Sequence, residues 1–84
     1  MVTKTLLLDT VDKVKEFSAI MRNVKYSADV TSGRYIVSAH SILGILSLDL
    51  AKPVSLVVHD VDDHVTTEAE VSDFLHDISA FIKD

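Results

Sequence analysis

Ser41-Ile42-Leu43-Gly44-Ile45-Leu46-Ser47-Leu48-Asp49-Leu50-Ala51-Lys52 is the stretch on which the fold of this chain turns. Serine is a favoured N-cap because its side-chain oxygen accepts a hydrogen bond from a first-turn amide that has no partner within the helix. A short helix is therefore expected to start directly after Ser41. At roughly 100° per residue, Ile42, Leu43, Ile45, Leu46 and Leu48 fall all round the helix axis instead of on one side. A helix in a small layered domain meets its sheet on one face only, so a helix apolar all round leaves part of that surface exposed. Exposed apolar surface marks a docking site, unless a loop or a neighbouring helix covers it.

Upstream, Tyr35 to Ala39 reads as a strand, joined through the turn Thr31-Ser32-Gly33-Arg34 to the alternating segment Val24, Tyr26, Ala28, Val30. Before these, Thr10 is a candidate N-cap for a helix whose apolar positions Val14, Phe17, Met21 and Val24 recur at three and four. Thr5 to Leu8 reads as a buried first strand. Downstream, Pro53 cannot donate to a ladder and opens the β-branched strand Val54-Ser55-Leu56-Val57-Val58. Thr67 and Glu70 have capping-box spacing, ahead of the stripe Val71, Phe74, Leu75, Ile78, Phe81 and Ile82. The order is β-α-β-β-α-β-α, and it predicts an α+β two-layer sandwich with helices packed on one face of a single sheet.

The composition bounds the function. Eighty-four residues, 48% of them apolar, make one ordered domain spanning residues 1–84 with a small core. No cysteine is present, so disulfide scaffolds, thiolate metal sites and thiol nucleophiles are excluded. The formal charge of −5 argues against nucleic acid as a partner. That charge is unevenly placed. Residues 1–52 carry seven Lys or Arg against five Asp or Glu, whereas residues 53–84 carry one against eight. Apolar stretches are interrupted every few residues and the N-terminus has no signal-peptide pattern, so neither membrane insertion nor export is expected. A cytoplasmic location follows as the default.

Enzyme chemistry finds little support. Gly33 and Gly44 are the only glycines, so no phosphate-cradling glycine loop exists, and there is no nucleophile elbow or zinc-type histidine pair. The segment His59-Asp60-Val61-Asp62-Asp63-His64 is rich in metal-ligand types, but its spacing fits neither a helical histidine pair nor a calcium loop. No cofactor and no metal are expected.

The segment from Ser41 to Lys52 resembles the regulatory-serine region of HPr, the histidine-containing phosphocarrier family of the bacterial sugar phosphotransferase system. Lys25-Tyr26 and Ala28-Asp29-Val30 are similar to the family's second strand. Length, element order and a C-terminal helix agree, so the resemblance spans essentially the whole chain. It implies four antiparallel strands with three helices on one face. It also implies that Ser41 is a candidate regulatory phosphorylation site for an HPr kinase, and that Ile42, Leu43 and Leu46 lie on the surface used to dock partners. The expected partners are phosphotransferase-system components, HPr kinase or a transcription regulator.

One departure is decisive. The family's phosphoryl-carrying histidine opens the first helix in a His-Ala-Arg-Pro pattern, but here that region reads Asp9-Thr10-Val11-Asp12-Lys13-Val14-Lys15, and the first histidine of the chain is His40. The chain thus resembles a member without the active-site histidine, a protein-binding regulatory module that is not an enzyme. The alternative is a phosphocarrier with a non-standard acceptor, such as Asp12 or one of the four histidines.

Overall fold

The computed structural model describes residues 1–83. Its elements run β1 (Val2–Leu6), α1 (Val11–Met21), β2 (Ala28–Ser32), β3 (Tyr35–Ser38), α2 (Ile42–Leu46), β4 (Val54–Val58) and α3 (Ser72–Asp77), followed by a 3₁₀ turn at Ser79–Phe81. The strands form one sheet in the order β1-β4-β2-β3, antiparallel throughout. β4 lies between β1 and β2, with Val58 opposite both Val2 and Ala28, and Leu56 opposite both Lys4 and Val30.

Side-chain alternation makes the two faces of this sheet chemically different. Val2, Leu6, Ala28, Val30, Val54, Leu56 and Val58 are buried on one face beneath Val14, Phe17 and Met21 of α1, Ile45 of α2, and Phe74 of α3. On the other face lie Thr3, Thr5, Ser55, Val57, Asp29, Thr31, Ile36 and Ser38, none of them buried. The protein is therefore an α+β open-faced sandwich with four antiparallel strands and three helices. Phe17 meets Phe81 edge-on at 6.4 Å between ring centroids, which locks α1 against the C-terminal segment.

Local chemistry sets the boundaries. Thr10 caps α1 by accepting from the Lys13 amide at 3.1 Å. Gly33 takes φ +58° in the two-residue turn between β2 and β3, and Arg34 does not share it, the φ pattern of a type II′ hairpin. β1 and β2 lie elsewhere than the sequence pattern suggests. β1 starts at Val2, opposite Val58 of β4, and Lys4 takes an inward position in it with its ammonium 2.8 Å from Glu68, so a charged residue interrupts the apolar alternation. β2 starts only at Ala28. Val24 and Tyr26 are half-buried without joining the ladder, and Tyr26 packs at 6.0 Å against Phe74.

The C-terminal helix is also shorter than the capping-box spacing implied. Thr67 does hydrogen-bond Glu70, at 3.2 Å between side chains, but residues 67–71 form turns and α3 begins at Ser72 with no side-chain cap. After Ile78 the chain tightens to the 3₁₀ turn and then extends, with Ile82 bridging Leu6. Leu7 donates to the Phe81 carbonyl and Lys83 to the Thr5 carbonyl, both at 2.8 Å. The tail thereby covers the C-terminal end of the β1 edge. Among the described residues no helix is long and apolar enough to cross a membrane.

Two stability experiments follow from this packing. Ser18 sits on the buried side of α1, and its hydroxyl finds no partner among the described residues. Ser18→Ala removes an unsatisfied buried group and improves helix propensity, so the urea midpoint should rise by the equivalent of about 0.5–1.5 kcal/mol. Ile45 is fully buried while Leu43, two residues away on the same short helix, is 78% exposed. Ile45→Ala should cost roughly 2–5 kcal/mol, and Leu43→Ala no more than about 0.5 kcal/mol. Equal losses at the two positions would contradict this placement of α2.

Candidate functional site

Five residues of helix are marginal in isolation, so α2 exists because neighbours hold it. Its entry is a tight turn out of β3. The Ser41 amide donates to the Ser38 carbonyl at 3.0 Å, the His40 amide donates to Ser38 Oγ at 3.2 Å, and His40 Nε2 lies 2.9 Å from the Tyr26 carbonyl. Ser41 then takes the N-cap, its Oγ accepting from the Gly44 amide at 3.1 Å. Gly44 is needed for close approach: a Cβ there would lie 3.1 Å from both Ser41 Oγ and Val37 Cβ. At the far end, Ser47 Oγ donates to the Gly44 carbonyl at 2.6 Å, and Asp49 Oδ1 accepts from the Ala51 amide at 3.3 Å.

The all-round apolarity of this segment separates into two stripes. Ile45 and Leu48 are buried and tie the segment to the core, and Ile42 is half-buried at the edge of that core. Leu43 and Leu46, three residues apart, face outward at 78% and 40% exposure. Of the residues marked out for docking, Leu43 and Leu46 thus share an exposed stripe, while Ile42 contributes mainly to packing. Ser41 opens the same helix, half-buried, with its hydroxyl engaged as the cap.

The start of α1 is occupied by its own side chains. Asp9 Oδ1 pairs with Lys13 Nζ at 2.7 Å, and this hydrogen bond holds the Asp9 carboxyl below its ordinary value. Asp12 is exposed in the first turn, and Val11 beside it is 56% exposed. Two acids at the mouth of this helix repel an incoming phosphate, whereas an imidazole there would not.

The acidic loop does not gather a metal site. Its groups diverge into separate pairs: His59 Nε2 lies 2.7 Å from Asp29 Oδ2, His64 Nε2 lies 2.7 Å from Glu70 Oε2, and Asp60 accepts from the α-amino group and from the Thr66 amide. Among the described residues no three His, Asp or Glu side chains cluster to hold an ion. The hydrogen bond from His64 lowers the Glu70 carboxyl, and the α-amino group and Thr66 lower that of Asp60. His40 and His76 are exposed on other parts of the fold.

Sequence reasoning missed the exposed apolar residues Tyr35 and Ile36 on β3, at 72% and 67%. Their β-branched and aromatic character predicts a strand wherever it lies in a sheet, and only the strand order shows that this one is at an edge.

Comparisons with protein families, with curated proteins and with solved structures return no match for this chain.

The cap and the carboxylates each generate a test. Ser41→Ala should lower stability by about 1 kcal/mol, while Ser41→Asp, which can still cap, should restore most of the loss in the same urea titration. Glu70, Asp9 and Asp60 all have lowered carboxyl values in the folded state. Their contribution is therefore complete above the unfolded carboxylate range, and it is lost as protons bind on acidification through the lower folded values. Thermal melts should decline with falling pH below the ordinary Glu value of 4.5, and Glu70→Gln should flatten that decline.

Proposed function

We propose that the chain is an HPr-like domain that binds proteins through the outward stripe of α2, with Ser41 as the residue whose charge state regulates binding. The observation that carries this is the exposure of Leu43 in the first turn of the helix that Ser41 caps, a helix whose opposite side is anchored by Ile45. An apolar side chain held out by a rigid base loses little conformational entropy on docking. A phosphoryl group at Ser41 would add about two negative charges beside this stripe. It would also stay near the amides of the first turn, which favour negative charge there.

On this proposal the partners are phosphotransferase-system components, an HPr kinase or a transcription regulator, and the setting is cytoplasmic. The chain catalyses no reaction itself. The negative charge of Asp12 weighs against its use as acceptor in the second reading, a phosphocarrier using Asp12 or a histidine, because a carboxylate opposes an anionic donor.

Incubation with an HPr kinase and ATP is expected to add one phosphoryl group, seen by mass spectrometry, and Ser41→Ala is expected to abolish it. Leu43→Asp should weaken binding of the partner at least about tenfold without lowering the melting temperature. Equal phosphate uptake by Ser41→Ala would sink the proposal. Incubation with phosphoenolpyruvate and the first enzyme of the phosphotransferase system separates the second reading: a hydroxylamine-sensitive adduct would place phosphate on a carboxylate.

A further inference from the structure

The two edges of the sheet are treated differently. The C-terminal end of the β1 edge is covered by residues 81–83, through the Leu7 to Phe81 and Lys83 to Thr5 backbone bonds. The β3 edge has no such cover: β3 pairs with β2 alone and ends the strand order. Edges of this kind are normally blunted by lysine, proline or a bulge. Tyr35-Ile36-Val37-Ser38 contains no lysine and no proline, and it holds a regular register with β2.

Backbone directions show what this edge offers. The Ala39 amide donates to the Ala28 carbonyl at 2.9 Å, so Ala39, Val37 and Tyr35 turn their polar groups towards β2. The alternate residues Ile36 and Ser38 turn theirs outward. The Ser38 carbonyl is taken by the Ser41 amide, which leaves both polar groups of Ile36 and the amide of Ser38 facing away from the sheet. Ile36 itself is 67% exposed.

We propose that β3 pairs antiparallel with β3 of a second copy of this chain, Ile36 opposite Ile36, joining the two sheets across a two-fold axis. The edge is complementary to itself in this register. Tyr35 of each copy lies beside Val37 of the other, and the two isoleucines meet on the open face. Arg34, in the turn just before β3, comes near Ser38 of the other copy, and Asp29 lies beyond that serine, since Asp29 pairs with Ser38 across β2 and β3. Two strand spacings of about 4.8 Å separate Arg34 from Asp29 of the other copy, within reach of an arginine and an aspartate extended over the small serine between them. One Asp29 oxygen faces His59, which leaves the other available for this contact. Despite the −5 charge of the chain, no acid faces an acid along this edge. Pairing about a two-fold axis uses the β3 edge of both copies, so this contact ends at two copies. This inference stands apart from the role proposed for α2.

Sedimentation of the full chain tests it. The average mass should rise from 9.2 kDa towards twice that value as concentration increases to about 1 mM. Ile36→Lys should weaken the association at least about tenfold while leaving the urea midpoint in place. Amide exchange at Ile36 and Ser38 should slow with concentration, which a contact elsewhere would not cause. A chain that stays monomeric throughout overturns the proposal. So does a dimer that survives Ile36→Lys, or one that Leu43→Lys abolishes in its place. Binding of an extended foreign peptide to the edge of a chain that remains monomeric would also count against it.

Discussion

The pairing of β4 with strands from both ends of the chain is the constraint on which everything else rests. Val58 is opposite Val2 on one side and Ala28 on the other, so three regions far apart in sequence meet along one five-residue strand. Alternation along β4 sends Val54, Leu56 and Val58 under the helices, and a slip of one residue would send Ser55 and Val57 there instead. Pro53 stands directly before this strand, at a place where its missing amide costs no ladder bond. The helices then have one apolar surface to cover, and α1, α2 and α3 cover it.

α2 illustrates how a marginal element acquires a definite surface. Too short to persist alone, it is fixed by Ile45 and Leu48 in the core, by Ser41 and Ser47 at its ends, and by the absence of a Cβ at Gly44. The inward half of its apolar residues is used up by this anchoring. Leu43 and Leu46 remain on the outward side, Leu43 78% exposed and Leu46 40%. The apolar surface that α2 leaves exposed is made by Leu43 and Leu46.

How much of this was legible in the sequence varies by element, for physical reasons. Thr10, Ser41, Gly33 and Pro53 act locally, through a cap, a positive φ or a missing amide, and each marked its boundary correctly. In β1 the apolar alternation is interrupted by Lys4, a charged residue at an inward position with its ammonium on Glu68. The alternation at Val24 and Tyr26 reflected real burial, but against Phe74 and not in a ladder. The C-terminal stripe named the right core residues, Val71, Phe74, Ile78 and Phe81, yet implied a continuous helix. Ile78 and Phe81 are three apart, a spacing that a 3₁₀ turn satisfies as well as an α-helix, so periodicity could not tell them apart. The candidate site was legible down to its cap, but the division of its leucines and isoleucines between core and surface was not. That division depends on which side of α2 meets α1 and β3.

The same tail that shortens α3 decides which side of the sheet stays open. Extending past Phe81 carries Ile82 to Leu6 and Lys83 to Thr5, and the end of the β1 edge has its Leu7 amide and Thr5 carbonyl paired. Among the described residues no equivalent segment covers β3, because the chain leaves that strand at once into the turn that caps α2. The short connection from Ser38 to Ser41 therefore has two consequences. It places Ser41 at a rigid helix start, and it leaves Ile36 on an uncovered edge with its polar groups pointing away from its own sheet. A longer connection could have crossed over that edge, but would have freed α2 from β3. The uncovered edge and the fixed helix are two results of one tight turn.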